Sequence, residues 1–338
     1  MHIHLAPMEG VVDSIMRRLL TDIGGFDACV TEFLRVTNTL LPAKLFYKHC
    51  PELHTKCHTH AGTPVLYQLL GGIPEHLAEN ALRAVELGAV GIDLNFGCPA
   101  KKVNSHDGGA VLLREPQRLY DIIQCVRAHI PEDIPVSAKI RLGYEDKSLA
   151  LDIARATDEA GSSHLTVHAR TKVEGYKPPA HWEWIARIRE VVSLPVIANG
   201  DIWCLEDYIR CREITGCEDV MLGRGALARP DLALQIKHHI NNTPYTPASW
   251  AQTISWVDHM FRIYRNIDDR FAVRRVKQWL RMLGKGHHKA VEFFATAKRL
   301  TDANAMQQAI LSEQGLPHSL HTEITSDELE HFKATLQP

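Results

Sequence analysis

At 338 residues, 45% hydrophobic and 23% charged, the chain has the composition of a globular protein with a sizeable core, which excludes a disordered or low-complexity chain. No apolar run approaches the length that spans a bilayer, and the start "MHIHLAPMEG" has neither the basic opening nor the apolar stretch of a signal peptide, so a cytoplasmic protein is expected. The net charge of −2 excludes a wholly basic nucleic-acid coat, and the eight cysteines (29, 50, 57, 98, 125, 204, 211, 217) form no C-x-x-C pair, which points to reduced thiols rather than a disulfide framework or a zinc ribbon.

In chain order, short β-branched runs predict eight strands: "IHLAPM" from Ile3, "DACVTEF" from Asp27, "PVLYQLLG" from Pro64, "GIDLNFG" from Gly91, "PVSAKIRLG" from Pro135, "HLTVHAR" from His164, "PVIANG" from Pro195 and "DVMLGRG" from Asp219. Apolar residues at three- and four-residue spacing predict helices between them, among others over Glu75–Leu87, Pro116–His129 and Ser148–Ala160. Strands alternating with helices imply right-handed βαβ crossovers and a parallel sheet. Eight such units predict an α/β fold, a closed (β/α)8 TIM barrel over residues 1–240. A doubly wound open sheet fits less well, because no G-x-G-x-x-G follows the first strand.

The turn-rich "NNTPYTPAS", Asn241–Ser249, reads as a linker. After it the periodicity predicts helices over Trp250–Asn266, Arg270–Leu283, Lys289–Leu300 and Asp302–Glu313, a small all-helical C-terminal domain over residues 241–338. From Arg270 to Arg299 nine Lys/Arg stand against the single acid Glu292, a local charge of +8 suited to a polyanion.

The strand ends carry the polar residues: Pro7-Met8-Glu9, Glu32, Gln68, Asn95 with Cys98, Lys139 with Arg141, His168 with Arg170, Asn199-Gly200-Asp201 and Gly223-Arg224-Gly225. One such residue is a loop cap; a barrel brings all of them to one mouth. "NGD" and "GRG" close the seventh and eighth strands, the corner where barrels bind phosphate, and Arg224 adds charge to the glycine-rich backbone. With Gln68, Lys139 and His168 this suits flavin mononucleotide, and equally a phosphorylated sugar. In "NFGCPAKKV" Cys98 sits in a glycine–proline frame at a strand tip, where a thiol mostly protonated at neutral pH can act as an acid, or as a nucleophile were a base such as His106 beside it, the plain alternative being a small buried packing residue. "HCPELHTKCHTH", His49–His60, holds four histidines and two cysteines without a standard metal spacing, and no metal is assigned to it.

Together "APMEG", "YQLLG", "NFGCPAKKV", "AKIRLG", "VHART", "ANGDI" and "GRGAL" resemble the tRNA-dihydrouridine synthases, in the right order along the whole barrel. "LAPMEGVVDS", "CPEL" and "RVKQWL" resemble the bacterial synthase C subgroup, which acts on uridine 16 of the D-loop. The resemblance implies that NADPH reduces FMN, that hydride passes to C6 of the uracil, and that Cys98 protonates C5. It further implies FMN held by Pro7, Met8, Glu9, Gln68, Lys139, His168, Asn199, Gly200, Asp201, Gly223 and Arg224. Asn95 would contact the uracil, and Tyr176 would sit on a mobile loop. The tRNA would meet Arg35, Arg275, Lys277 and Lys298, the last a lysine where the family pattern leads to an arginine. No obligate protein partner is implied, and a monomer is expected. Two other readings stand beside this one: an FMN barrel reducing a free pyrimidine or small enone, and an inactive barrel that only binds RNA.

Overall fold

The computed structural model describes residues 1–315; positions 316–338 of the expected helical region lie outside the described residues. Among the described residues there are nine strand segments: β1 Ile3–Leu5, β2 Ala28–Val30, β3 Leu34–Arg35, β4 Val65–Leu70, β5 Ile92–Asn95, β6 Val136–Arg141, β7 Leu165–His168, β8 Val196–Asn199 and β9 Asp219–Leu222. All pair in parallel, and β1 lies between β2 and β9. The sheet closes on the other side through β4, which pairs with β2 at Cys29–Val65 and with β3 at Leu34–Leu69. The two short segments thus share one stave. The result is the predicted eight-stranded (β/α)8 barrel, with its second stave interrupted at 31–33.

The apolar runs follow from this closure, since a parallel barrel is covered on both faces. β4, "VLYQLL", is buried at every position. Ala6, Ala28, Val30, Leu66, Ile197 and Met221 form a small cluster of their own, apart from the main core. The larger core includes helix faces such as Leu77, Ala78 and Ala81 of the Pro74–Glu86 helix.

Beyond Asn241–Ser249, which carries neither helix nor strand, the helices are Trp250–Arg265, Asp269–Leu283, His288–Ala297 and Ala303–Glu313. Three of these starts are set by side chains that accept otherwise free backbone N–H groups, and His288–Ala297 has no such cap. Ser249 and Gln252 form a capping box, Asp268 accepts from Phe271 N at 2.6 Å, and Asp302 accepts from Ala305 N at 2.8 Å. The helices share the barrel's core through Ile254, Phe261, Trp279 and Leu280. They also bond to it: the Tyr264 hydroxyl donates to the Asp13 carboxylate at 2.6 Å, and Trp279 Nε1 donates to Leu227 O at 3.0 Å.

Candidate active site

Because the strands run in parallel, their C-terminal ends gather at one mouth. A cavity of about 650 Å³ opens there. Its lining contains Pro7, Met8, Glu9, Gln68, Asn95, Cys98, Lys139, His168, Tyr176, Asn199, Gly200, Asp201, Gly223 and Arg224. The strand-end residues expected at the mouth are thus brought together, except Arg170, which is fully buried and does not line the cavity.

The Cys98 loop is shaped by its neighbours. Asn95 Oδ1 accepts the backbone N–H of Gly97 at 3.0 Å and of Cys98 at 2.9 Å. Arg141 Nε donates to Gly97 O at 2.8 Å, and Asn104 Nδ2 donates to Cys98 O at 2.8 Å. The thiol is half-buried. Burial pushes it above its usual range, which the Ala100 amide and the Arg141 charge only partly offset. At neutral pH it carries its proton.

Behind Asn95 runs a line of hydrogen bonds through the barrel. Asn95 Nδ2 donates to Gln68 Oε1 at 2.8 Å, Gln68 Nε2 donates to Asp93 Oδ2 at 2.7 Å, and Ser137 Oγ donates to Asp93 Oδ1 at 2.7 Å. Burial raises Asp93 to about 6. On the next strand Lys139 Nζ donates to Asn199 Oδ1 at 3.0 Å, while Asn199 Nδ2 donates to Met221 O at 2.8 Å. Burial and the Arg141 charge push Lys139 down to about 8. His168 is buried, and burial together with Arg141, Lys139, Arg170 and Arg224 holds it well below its usual value, hence neutral. Its Nδ1 has no protein partner.

The corner at β8 and β9 is cationic and narrow. Asp201 pairs with Arg170 and, at 3.2 Å, with Arg224. Asp201 adopts φ 52°, and Gly200 before it φ 123°, backbone values that side-chain-bearing residues rarely take. A Cβ at Gly225 would meet Ile202 O at 1.9 Å, so only glycine lets the two loops approach. Arg224 lies 4.9 Å from the ring centroids of both Tyr176 and Trp203. Tyr176 is 54% exposed, on a loop that Arg141 holds by donating to Gly175 O at 2.9 Å.

Of the expected RNA contacts, Arg35 and Lys277 are half-exposed and Lys298 is exposed. Arg275 differs from these three in its surroundings. It is 5% exposed, and its guanidinium donates to Gly10 O at 2.8 Å and Val11 O at 2.6 Å, with Asp13 at 3.3 Å. It faces the barrel because the helix Asp269–Leu283 turns its apolar stripe that way, and position 275 falls in that stripe beside Ala272, Val276 and Trp279.

Sequence reasoning missed three participants. Trp203 stands two residues past "NGD" and could have been found as an aromatic at a strand-end loop. Asp93 was visible as a lone acid inside the apolar run "GIDL". Met282 lines the cavity from the helical region, and no local pattern announces such a long-range contact.

The family model described as "Dihydrouridine synthase (Dus)" matches residues 4–320. A protein of Pseudomonas putida named tRNA-dihydrouridine(16) synthase is 54% identical over 303 residues, covering 89% of this chain and 94% of that one. Proteins of the same name from Shewanella oneidensis and Neisseria meningitidis are 50% identical over 295 residues and 49% identical over 311 residues. They cover 87% and 91% of this chain, and 92% and 93% of their own length.

Proposed function

The chain belongs to the dihydrouridine synthase family, and from that premise we propose that it reduces uridine 16 of tRNA to 5,6-dihydrouridine, with FMN as resident cofactor and NADPH as reductant. The observation that carries the reading is one cavity lined by a thiol held in its protonated form, a half-buried ammonium and a cationic glycine-lined corner.

The cavity fits FMN. At about 650 Å³ it lies within the roughly 300–1,000 Å³ of cofactor pockets. The buried His168 Nδ1 has no protein partner and lacks only a ligand donor or acceptor. The Gly200-Asp201 and Gly223-Arg224 loops suit a phosphate dianion. When bound, FMN supplies the hydride that the uracil receives at C6, drawn from NADPH.

The chain's own residues do the rest. The Pro7-Met8-Glu9 backbone covers the cofactor, and the Gln68 amide meets its polar edge. The Lys139 ammonium, aimed by Asn199, balances negative charge on the ring. Arg224 and the amides of Gly200, Asp201 and Gly223 hold the phosphate. Cys98 gives its proton to C5, the carbon that gains electron density as C6 accepts hydride. Asn95 uses one amide hydrogen on Gln68 and keeps a second for the uracil. Tyr176 covers the mouth.

A base inside a stack cannot reach such a mouth, so the uridine must be extruded. We assign residues 241–338 to tRNA binding. Lys277 and Lys298 meet phosphates there, and Arg35 does so from the barrel rim. Arg275 we assign to the Gly10–Val11 turn. The protein acts as a cytoplasmic monomer in this reading, and among the described residues no helix is long and apolar enough to cross a membrane.

The test is to map dihydrouridine in tRNA from a strain lacking this protein. Loss at position 16 alone is the expected result; retention there with loss elsewhere would overturn the assigned position. Full retention at every site would overturn the activity.

A further inference from the structure

Cys50 and Cys57 take no part in the site above; they belong to the histidine- and cysteine-rich stretch that the chemistry leaves unused. Cys50 ends the Ala43–His49 helix, a 3-10 turn follows over Pro51–Thr55, and Cys57 begins the segment that enters β4 at Val65. The turn brings the two sulfurs to 3.8 Å, and neither residue has exposed surface. Lys56 and Cys57 adopt φ 54° and 56° in succession, a backbone that side-chain-bearing residues hold only when their surroundings impose it. Here the surroundings are plain. Cys57 N–H donates to Glu52 O at 2.7 Å, Val65 N–H donates to Cys57 O at 2.9 Å, and the Cys57 thiol reaches Val65 O at 3.0 Å. The strained turn keeps Cys57 facing Cys50.

We propose that Cys50 and Cys57 are a modification site, a thiol pair that a two-electron thiol oxidant such as a small disulfide converts to an intramolecular disulfide on the barrel face opposite the catalytic mouth. The thiolate of Cys57 attacks one sulfur of the small disulfide and expels its other half as a thiol. Cys50 then loses its proton and attacks the Cys57 sulfur, expelling the second thiol. Two protein S–H bonds are exchanged for one S–S bond, and the oxidant's S–S bond is reduced to two thiols. Cys57 follows the exposed Lys56 and is the sulfur that opening of the turn reaches first. Burial holds the Cys50 thiol well above its usual range. The sulfurs must close to ~2.05 Å, which a side-chain rotation and a small shift of the turn provide. The oxidant enters by local opening of the 51–57 turn, whose His54 and Lys56 are exposed. In a reducing compartment such a bond is transient and redox-sensing rather than structural.

The test uses the full chain treated with diamide, whose N=N bond takes up the two electrons and two protons. The product is unfolded, alkylated with iodoacetamide and cleaved after Lys and Arg. Cleavage at Lys48, Lys56 and Arg83 places the two cysteines in separate peptides, His49–Lys56 and Cys57–Arg83. The expected result is one linked mass that a reductant splits, together with a thermal midpoint raised by roughly 2–4 °C. Both should be lost in Cys57→Ser and in Cys50→Ala. Alkylation of both thiols after oxidation, or a link that runs to Cys98 instead, would overturn the proposal.

Discussion

Asn95 holds Cys98 by its backbone: the amide oxygen of the one accepts the N–H of the other at 2.9 Å. The last residue of β5 therefore aims the proposed acid, and the Gln68–Asp93–Ser137 line behind it fixes Asn95 in turn. Misplacing a reacting group by about 1 Å can cost 10²-fold. Asn95→Ala is expected to lower dihydrouridine turnover by about that factor with flavin still bound, and to speed alkylation of Cys98 as its loop loosens. Turnover within twofold of the parent would show that the loop keeps its shape without Asn95.

In the proposed reaction Cys98 acts with its proton on, so its rate dependence has a definite sign. The folded pKa lies above the usual thiol value. Turnover should hold through neutral pH and fall as pH rises through that raised pKa. Cys98→Ala should keep flavin and tRNA binding and lose about 10²–10⁴ in turnover, the usual worth of a general acid. A pH profile in which activity increases with thiol ionisation would instead mark a nucleophile.

Lys139 donates to Asn199 and sits near pKa 8, so most of it is cationic at neutral pH. Removing a preorganised donor facing developing negative charge costs roughly 10²–10³. Lys139→Met should slow reduction of the bound flavin by NADPH on that scale, read in a stopped-flow absorbance trace. Asn199→Ala should do so less, since it removes the guide and not the charge. Equal rates in all three proteins would refute the electrostatic role.

Arg275 ties the helix Asp269–Leu283 to the turn that follows Pro7-Met8-Glu9. Gln278 Nε2 donates to the same Gly10 carbonyl at 2.9 Å, and Glu32 accepts the Gly10 N–H on the turn's other side at 2.5 Å. A hydrogen bond from a charged donor is worth about 1.5–3 kcal/mol. Arg275→Ala is expected to destabilise the fold by a few kcal/mol on that basis and to weaken FMN binding, measured by flavin fluorescence. Lys277→Ala, half-exposed beside it, should leave FMN untouched and weaken tRNA with a reduced salt slope. The reverse pattern would return Arg275 to the RNA face.

That contrast shows what a sequence can and cannot disclose. The barrel was legible because each strand is a β-branched run bounded by turn residues, and because closure puts every strand end at one mouth. Pro116–His129 was even bounded correctly, with proline at its first turn. The interruption at 31–33 was not legible: Thr31 and Leu34 carry the same apolar or β-branched character as the strand. Which way position 275 faces is decided by the docking of a whole helix against Gly10, 265 residues away. A count of nine basic residues cannot tell a buried clamp from an exposed contact.

At the opposite end of the barrel His4 and His164 face each other with ring centroids 5.9 Å apart, and burial lowers each to about 4. Unfolding returns an imidazole to a pKa of about 6.5. Between pH 6.5 and 4 the unfolded chain therefore binds protons that the folded chain refuses. The stability these rings allow is fully present above 6.5 and is lost as pH falls towards 4, on the order of 3 kcal/mol for each ring. Asp93 works the other way. Its folded pKa of about 6 exceeds the unfolded value, so its contribution grows as pH falls below 6. The net expectation is a urea midpoint that drops between pH 6.5 and 4.5. The drop should steepen in Asp93→Asn and flatten in His4→Phe, whose ring needs no proton and fills the same space. A flat wild-type profile over that interval, or one that His4→Phe leaves unchanged, would show that these histidines open to solvent before they titrate.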